Sequence, residues 1–201
     1  MGKGLLHRRE LVILTAIEII DEIGIQGLST REIAKRQGIS EGTLFRHFKT
    51  KNDIVLAVLD YFSKYDDDII QSARIKGLRP RDAITFFVDS YATYYENYPA
   101  ITAMTQIYGV LAYESSFLPK VNSILDDRKS FLKKVIEDGQ KVGDIKAGAD
   151  SEALANVIIG TFGEICLSWR LSTGKFPLRE KTLSALEMIL TAFSPLANEG
   201  E

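Results

Sequence analysis

Six basic side chains, Arg31, Lys35, Arg36, Arg46, Lys49 and Lys51, fall within the 23 residues from Ser29 to Lys51, against two acids, Glu32 and Glu41. The local charge is +4, on a chain whose 25 Lys/Arg and 27 Asp/Glu give a formal charge of -2. Up to Asp53 there are nine basic residues and seven acids; the remainder holds 16 and 20. A short basic stretch on an acidic body suits a phosphate footprint and excludes a uniformly basic nucleic-acid coat. Other chemistries find no parts. No HExxH, P-loop, GxGxxG or GxSxG is present. The two histidines, His7 and His47, lie in the basic part, and the one cysteine, Cys166, lies far along the chain, so no Cys/His nucleophilic site is supported. Asp66-Asp67-Asp68 reads as a charged helix face rather than a metal site. We therefore expect no enzyme activity, no cofactor and no metal.

The elements that must position the basic stretch are helical. Leu11 to Phe62 contains no proline, and apolar residues recur at three and four spacing through most of the 201 residues, with almost no strand alternation. The pattern predicts an all-α fold. A first helix from about Arg8 to Ile23 carries Ile13, Ile17 and Ile20 on one face and stops at Gly24. Ser29-Thr30-Arg31-Glu32 has capping-box spacing, in which hydroxyl and carboxylate satisfy each other's backbone donors, and opens a short helix to about Arg36. Gly38 suits the positive φ of a tight turn, and Ser40 caps a third helix, Glu41 to His47. Thr50-Lys51-Asn52-Asp53 starts a longer fourth helix, to about Arg74.

Two short helices joined by a Gly-containing turn and braced by a longer one form a helix-turn-helix, whose second helix enters the DNA major groove. Ile33, Ala34, Leu44 and Phe48 take the inner positions, leaving Gly42, Thr43, Arg46 and His47 outside. With those residues placed, the stretch Leu11 to Leu59, with its core "IA...GIS.GTLF.HF..K..I", closely resembles the DNA-binding region of TetR-type transcriptional regulators. The resemblance covers about a quarter of the chain. It implies a homodimeric repressor with a three-helix head that binds a double-stranded DNA operator, and a larger helical body that dimerises and binds a small-molecule effector. The division implied is residues 1–53 for the head and 54–201 for the body.

The same resemblance implies DNA contacts at Thr30, Ser40, Gly42, Thr43, Phe45, Arg46, His47 and Lys51. Helix N-termini offer free N–H groups to phosphate, Gly42 permits close backbone approach, and Thr43 presents hydroxyl and methyl to a base edge. Phe45 stands where relatives commonly carry Tyr, so a phenolic phosphate contact is missing and Arg46 is expected to replace it. Glu41 stands where relatives are commonly basic or neutral, and near a duplex it should cost affinity or point away.

In the body, nine of the nineteen aromatics lie between Phe86 and Phe117. Most such stripes are core, yet buried Tyr hydroxyls need partners, which suits an apolar pocket with polar anchors. The expected effector pocket lies near Tyr91, Tyr94, Tyr95, Tyr108 and Tyr113, and either an acyl chain or an aromatic or cationic compound would suit it. Helices are expected over Arg81 to Tyr98, Pro119 to Val142, Ala153 to Leu171 and Arg179 to Phe193. The charges of the second of these, Arg128 among them, read as a solvated face. The third is apolar nearly all round and must be covered on both sides. With the last helix it is expected to form a four-helix bundle across a two-fold axis, Gly160 and Gly163 permitting close approach. A helical adaptor or small-molecule binder without DNA binding is the alternative, but it leaves Thr30, Thr43 and Lys51 unexplained. The single cysteine, the absence of a signal-peptide pattern and the absence of an apolar stretch long enough to span a bilayer predict a cytoplasmic protein without a membrane partner.

Overall fold

A computed structural model describes the backbone of residues 2–195 and the side chains of residues 8–195. The fold is all-α. Its described elements, in order, are α1 (Gly2–Gly27), α2 (Thr30–Gln37), α3 (Glu41–Leu44), α4 (Lys51–Ile75), α5 (Pro80–Asn97), a 3-10 turn (Pro99–Ile101), α6 (Thr102–Leu111), α7 (Leu118–Val142), α8 (Ser151–Leu171) and α9 (Leu178–Ala192). No described helix is long and apolar enough to cross a membrane. The chain packs as two compact units: one holds the residues up to Tyr65 with Tyr98–Ile124, the other Asp66–Asn97 with Leu125 onward.

In the first unit, α1 packs on α2, and α2 on α3. Their shared interior is made by Val12, Ala16, Ile19, Leu28, Ile33, Leu44, Phe48, Ile54 and Val58, all buried. Each large aliphatic or aromatic side chain so buried contributes roughly 1.5–3 kcal/mol. Gly24 breaks the first helix where its position predicts: its φ of 73° and ψ of 171° are non-helical, and only a short further turn follows the kink, to Gly27. The unit also takes in a segment from the middle of the chain, because α6 and the preceding 3-10 turn pack on α1 and bury Ile101, Ala103 and Met104. The pattern reading had no helix at Thr102–Leu111.

The caps explain the short elements. Ser29 Oγ accepts from Glu32 N–H at 3.1 Å, but Glu32 does not complete the expected box; its carboxylate turns outward to Arg36 Nε at 3.0 Å, which lowers the acid's pKa. The reciprocal box sits instead at α4. There Thr50 Oγ1 accepts from Asp53 N–H at 3.1 Å, and Asp53 Oδ2 accepts from the N–H groups of Thr50 and Lys49, both at 2.9 Å. Gly38 takes the left-handed conformation expected of it, φ 62° and ψ 33°, and its N–H caps the end of α2. The third helix is shorter than its sequence pattern suggests. Only Glu41–Leu44 is α-helical; Phe45 to His47 tighten into turn, with His47 N–H donating to Leu44 at 2.9 Å.

In the second unit α9 lies against α5 and α8. Arg81 of α5 reaches Glu187 at 2.6 Å and Ser194 Oγ at 2.7 Å, and Arg179 of α9 pairs with Asp89 of α5. Asp150 caps α8 by accepting from Glu152 and Ala153 N–H at 2.9 and 3.0 Å.

Candidate nucleic-acid interface and ligand cavity

The outer surface of the helix-turn-helix carries the residues singled out from sequence. Ser40, Gly42, Phe45 and Arg46 are exposed, and Thr30, Thr43, His47 and Lys51 half-buried. Ser40 Oγ accepts from Thr43 N–H at 3.1 Å and lies 3.0 Å from Thr43 Oγ1, fixing the first turn of α3. The inner side is pinned by Phe48, whose ring lies 4.5 Å from the Arg9 guanidinium, while Arg9 also donates to the His47 carbonyl at 3.3 Å. Glu41 points sideways, accepting from Thr30 Oγ1 at 2.8 Å and tying the start of α3 to the start of α2.

Not all six basic side chains are equally available to a phosphate. Arg36 is held between Glu22 at 2.8 Å and Glu32 at 3.0 Å. Lys51 donates to the Ile25 carbonyl at 3.2 Å, which anchors the end of α1, and Lys35 lies 4.0 Å from Glu32. Arg31, Arg46 and Lys49 are exposed and enter no ion pair among the described residues. These three are the cations that need not give up a bond to meet a phosphate.

The five tyrosines expected at the pocket are divided between the two compact units. Tyr91, Tyr94 and Tyr95 lie on α5, with Tyr91 and Tyr95 buried and their rings 6.0 Å apart. Tyr108 is buried on α6, in the other compact unit, and Tyr113 stands 92% exposed in the turn after α6. The chain passes from one unit to the other just before the 3-10 turn at Pro99.

An apolar cavity does exist in the second unit, lined by Phe87, Val88, Tyr91, Arg128, Leu132, Ile158, Ile159 and Phe162. Its water-accessible volume is about 40 Å³. Phe162 stacks on Tyr95 at 5.7 Å and closes one side. At its polar end Arg128 binds Asp66 through two bonds, Nε to Oδ2 at 2.7 Å and Nη2 to Oδ1 at 3.0 Å, and Tyr91 Oη donates to Asp66 Oδ1 at 2.5 Å. Both charged side chains are withdrawn from water, Asp66 to 4% exposure and Arg128 to 12%. The guanidinium also lies 4.9 Å from the centre of the Tyr91 ring. Burial pushes the Tyr91 phenol well above its ordinary pKa, so it stays a donor at neutral pH. Sequence reading missed Asp66 and Arg128, placing both on solvated faces. A signal was there: Asp66 keeps helical register with Phe62, Ile69 and Ile70, and Arg128 with Val121, Ile124, Phe131 and Leu132, so each interrupts a buried stripe. Cys166 is buried and its thiol is pushed up to about 12, consistent with an inert core residue.

A helix-turn-helix with a cationic outer face, joined in one chain to a helical unit holding a small apolar cavity, defines a DNA-binding regulator. Residues 12–58 match the family described as "Bacterial regulatory proteins, tetR family", and residues 61–192 match "YsiA-like protein, C-terminal region". The chain therefore belongs to the TetR family of transcriptional regulators, with a YsiA-like C-terminal region. It is 24% identical over 185 residues to the fatty acid metabolism regulator protein of Bacillus subtilis, covering 90% of this chain and 92% of that one. To the class C tetracycline repressor of Escherichia coli it is 40% identical over 53 residues, 26% of this chain and 24% of that one. Among solved structures, the B. subtilis regulator FadR in complex with stearoyl-CoA superposes with a TM-score of 0.80 at 22% identity, over 92% of this chain and 98% of that one. The ketosteroid regulator KstR2 of Mycobacterium tuberculosis gives 0.79 at 18% identity, over 94% and 95%.

Proposed function

We propose that this protein is a homodimeric repressor that binds a palindromic operator and is released when an apolar effector, an acyl group in the first instance, enters the cavity of its second unit. The observation that carries the reading is the cavity itself: an aromatic and aliphatic hollow with one buried polar cluster, in a chain whose full-length relative is a fatty acid regulator. At about 40 Å³ the hollow holds little more than one water. An acyl chain must therefore displace a wall, and Phe162, only half-buried, is the ring placed to move. Binding then carries a conformational cost, which is the property an effector site needs if occupancy is to alter the rest of the molecule.

The coupling proposed runs through α4, which begins at Lys51, soon after the recognition helix in the chain, and includes Asp66, bonded to Arg128 and Tyr91 of the cavity wall. Two recognition helices must sit about 34 Å apart to enter successive major grooves, so a small movement of α4 in each protomer is enough to spoil the fit. The test is calorimetric titration of decanoyl- to stearoyl-CoA into the protein, with and without an operator duplex taken from the DNA upstream of its own coding sequence. Linkage requires that the operator weaken acyl-CoA binding by the factor by which acyl-CoA weakens operator binding, about 5- to 150-fold. Equal acyl-CoA affinities with and without duplex overturn the proposal.

A further inference from the structure

We infer that Asp66 makes the cavity selective for uncharged chains: by neutralising Arg128 it bars a free carboxylate and admits the same chain with its acid masked as an ester or thioester. The inference rests on the reading that this cavity holds an effector, and adds the rule by which it chooses one. Among the described residues lining the cavity, Arg128 is the only charged one, so it is the obvious receptor for an acidic head group. In this structure that role is already taken. The Asp66 carboxylate takes the Nε–Nη2 edge of the guanidinium side-on, at 2.7 and 3.0 Å, and is held there by the Tyr91 hydroxyl as a third donor. The Tyr91 ring stacks against the guanidinium at 4.9 Å.

Asp66 is not on the cavity wall, yet it sets the wall's charge. A second carboxylate brought to Arg128 would lie beside the first in a site nearly free of water, where like charges repel strongly and neither is solvated. Expelling Asp66 instead would strand, inside the unit, a carboxylate whose side chain is 4% exposed. An ester or thioester carbonyl meets neither obstacle. It needs only a donor, and a neutral chain leaves the Asp66–Arg128 pair intact. The geometry thus makes Asp66 a specificity residue rather than a structural salt bridge alone.

The experiment compares decanoate with methyl decanoate by calorimetry on the full chain at pH 8, in wild type and in Asp66→Asn. Wild type should bind the ester at least tenfold more tightly than the acid. In Asp66→Asn the freed guanidinium should recruit the carboxylate, shrinking that ratio at least tenfold or reversing it; the ester's greater oiliness is common to both proteins and cancels. The inference is overturned if wild type holds decanoate as tightly as the ester, or if folded Asp66→Asn keeps the wild-type ratio. Asp66→Ser carries the same comparison should the Asn variant fail to fold. If neither probe binds wild type, the effector reading of this cavity falls and this inference with it; if the ester binds and the ratio ignores Asp66, only this inference falls.

Discussion

At the scale of the residue, the recognition surface divides its polar groups between holding itself together and reaching outward. Glu41 and Thr30 satisfy each other, Arg36 is shared by two acids, and Lys51 closes the end of α1. What remains outward is the exposed Arg31, Arg46 and Lys49, with Thr43 half-buried beside them and its hydroxyl 3.0 Å from Ser40 Oγ. Thr43→Ala and Arg46→Ala should therefore weaken operator binding in different ways. Loss of the Thr43 hydroxyl and methyl should cost about 1–3 kcal/mol and relax preference at one base pair, whereas loss of Arg46 should weaken all sequences alike and flatten the salt slope by about one. Fluorescence anisotropy on operator and scrambled duplexes at several salt concentrations separates the two; an Arg46→Ala variant with the wild-type salt slope would remove that residue from the interface. Lys51 is a poorer probe, because its ammonium also serves the Ile25 carbonyl.

At the scale of the element, the capping signals were legible but their partners were not. Both Ser29-x-x-Glu32 and Thr50-x-x-Asp53 have box spacing, and only the second closes. Glu32 has Arg36 one turn away, and a charge-assisted bond to a guanidinium competes with a backbone N–H. Asp53 is followed on α4 by Ile54, Val55, Leu56 and Ala57, with no cation one turn ahead, and its short side chain reaches back. It accepts from two backbone donors, so Asp53→Ala should lower unfolding stability by about 1–2 kcal/mol. In urea titrations the midpoint should fall with the slope unchanged. An unaltered midpoint would mean that water replaces the carboxylate at no cost and that the start of α4 does not depend on its cap.

At the scale of the whole molecule, the two-sided apolar pattern of α8 is resolved into an inner and an outer face. Leu154, Ala155, Ile158, Cys166 and Trp169 are buried within the protomer, while Ala153, Val157, Gly160, Gly163 and Leu171 remain exposed. On α9, Leu186 and Leu190 are buried, and Met188 is 73% exposed. A second copy of the chain is the occupant we propose for this outer face, the glycines allowing backbones to approach. Val157→Glu with Met188→Glu should convert a dimer to monomer with helix content retained, because a charge in a dry interface costs several kcal/mol while these positions lie outside the protomer core. Light scattering at micromolar concentration reads the outcome, and a wild-type chain that is monomeric there refutes the interface.

The division between what sequence and tertiary structure decided has a physical basis. Helices, caps and the Gly38 turn depend on interactions within about four residues, so spacing alone specified the all-α class and the helix-turn-helix. The left-handed Gly38 and the outward Gly42, Thr43 and Arg46 follow from that local logic. The cavity does not. Its walls come from α5, α7 and α8, and its polar end joins Asp66 to Arg128 across 62 positions of chain. Whether a charge inside an amphipathic helix faces water or a buried partner depends on what packs against it, and no local pattern records that. For the same reason Tyr91 and Tyr108, neighbours in one aromatic run, belong to different compact units. Short-range hydrogen bonding wrote the head into the sequence; long-range packing alone chose which aromatic and which charged residues would meet in the body.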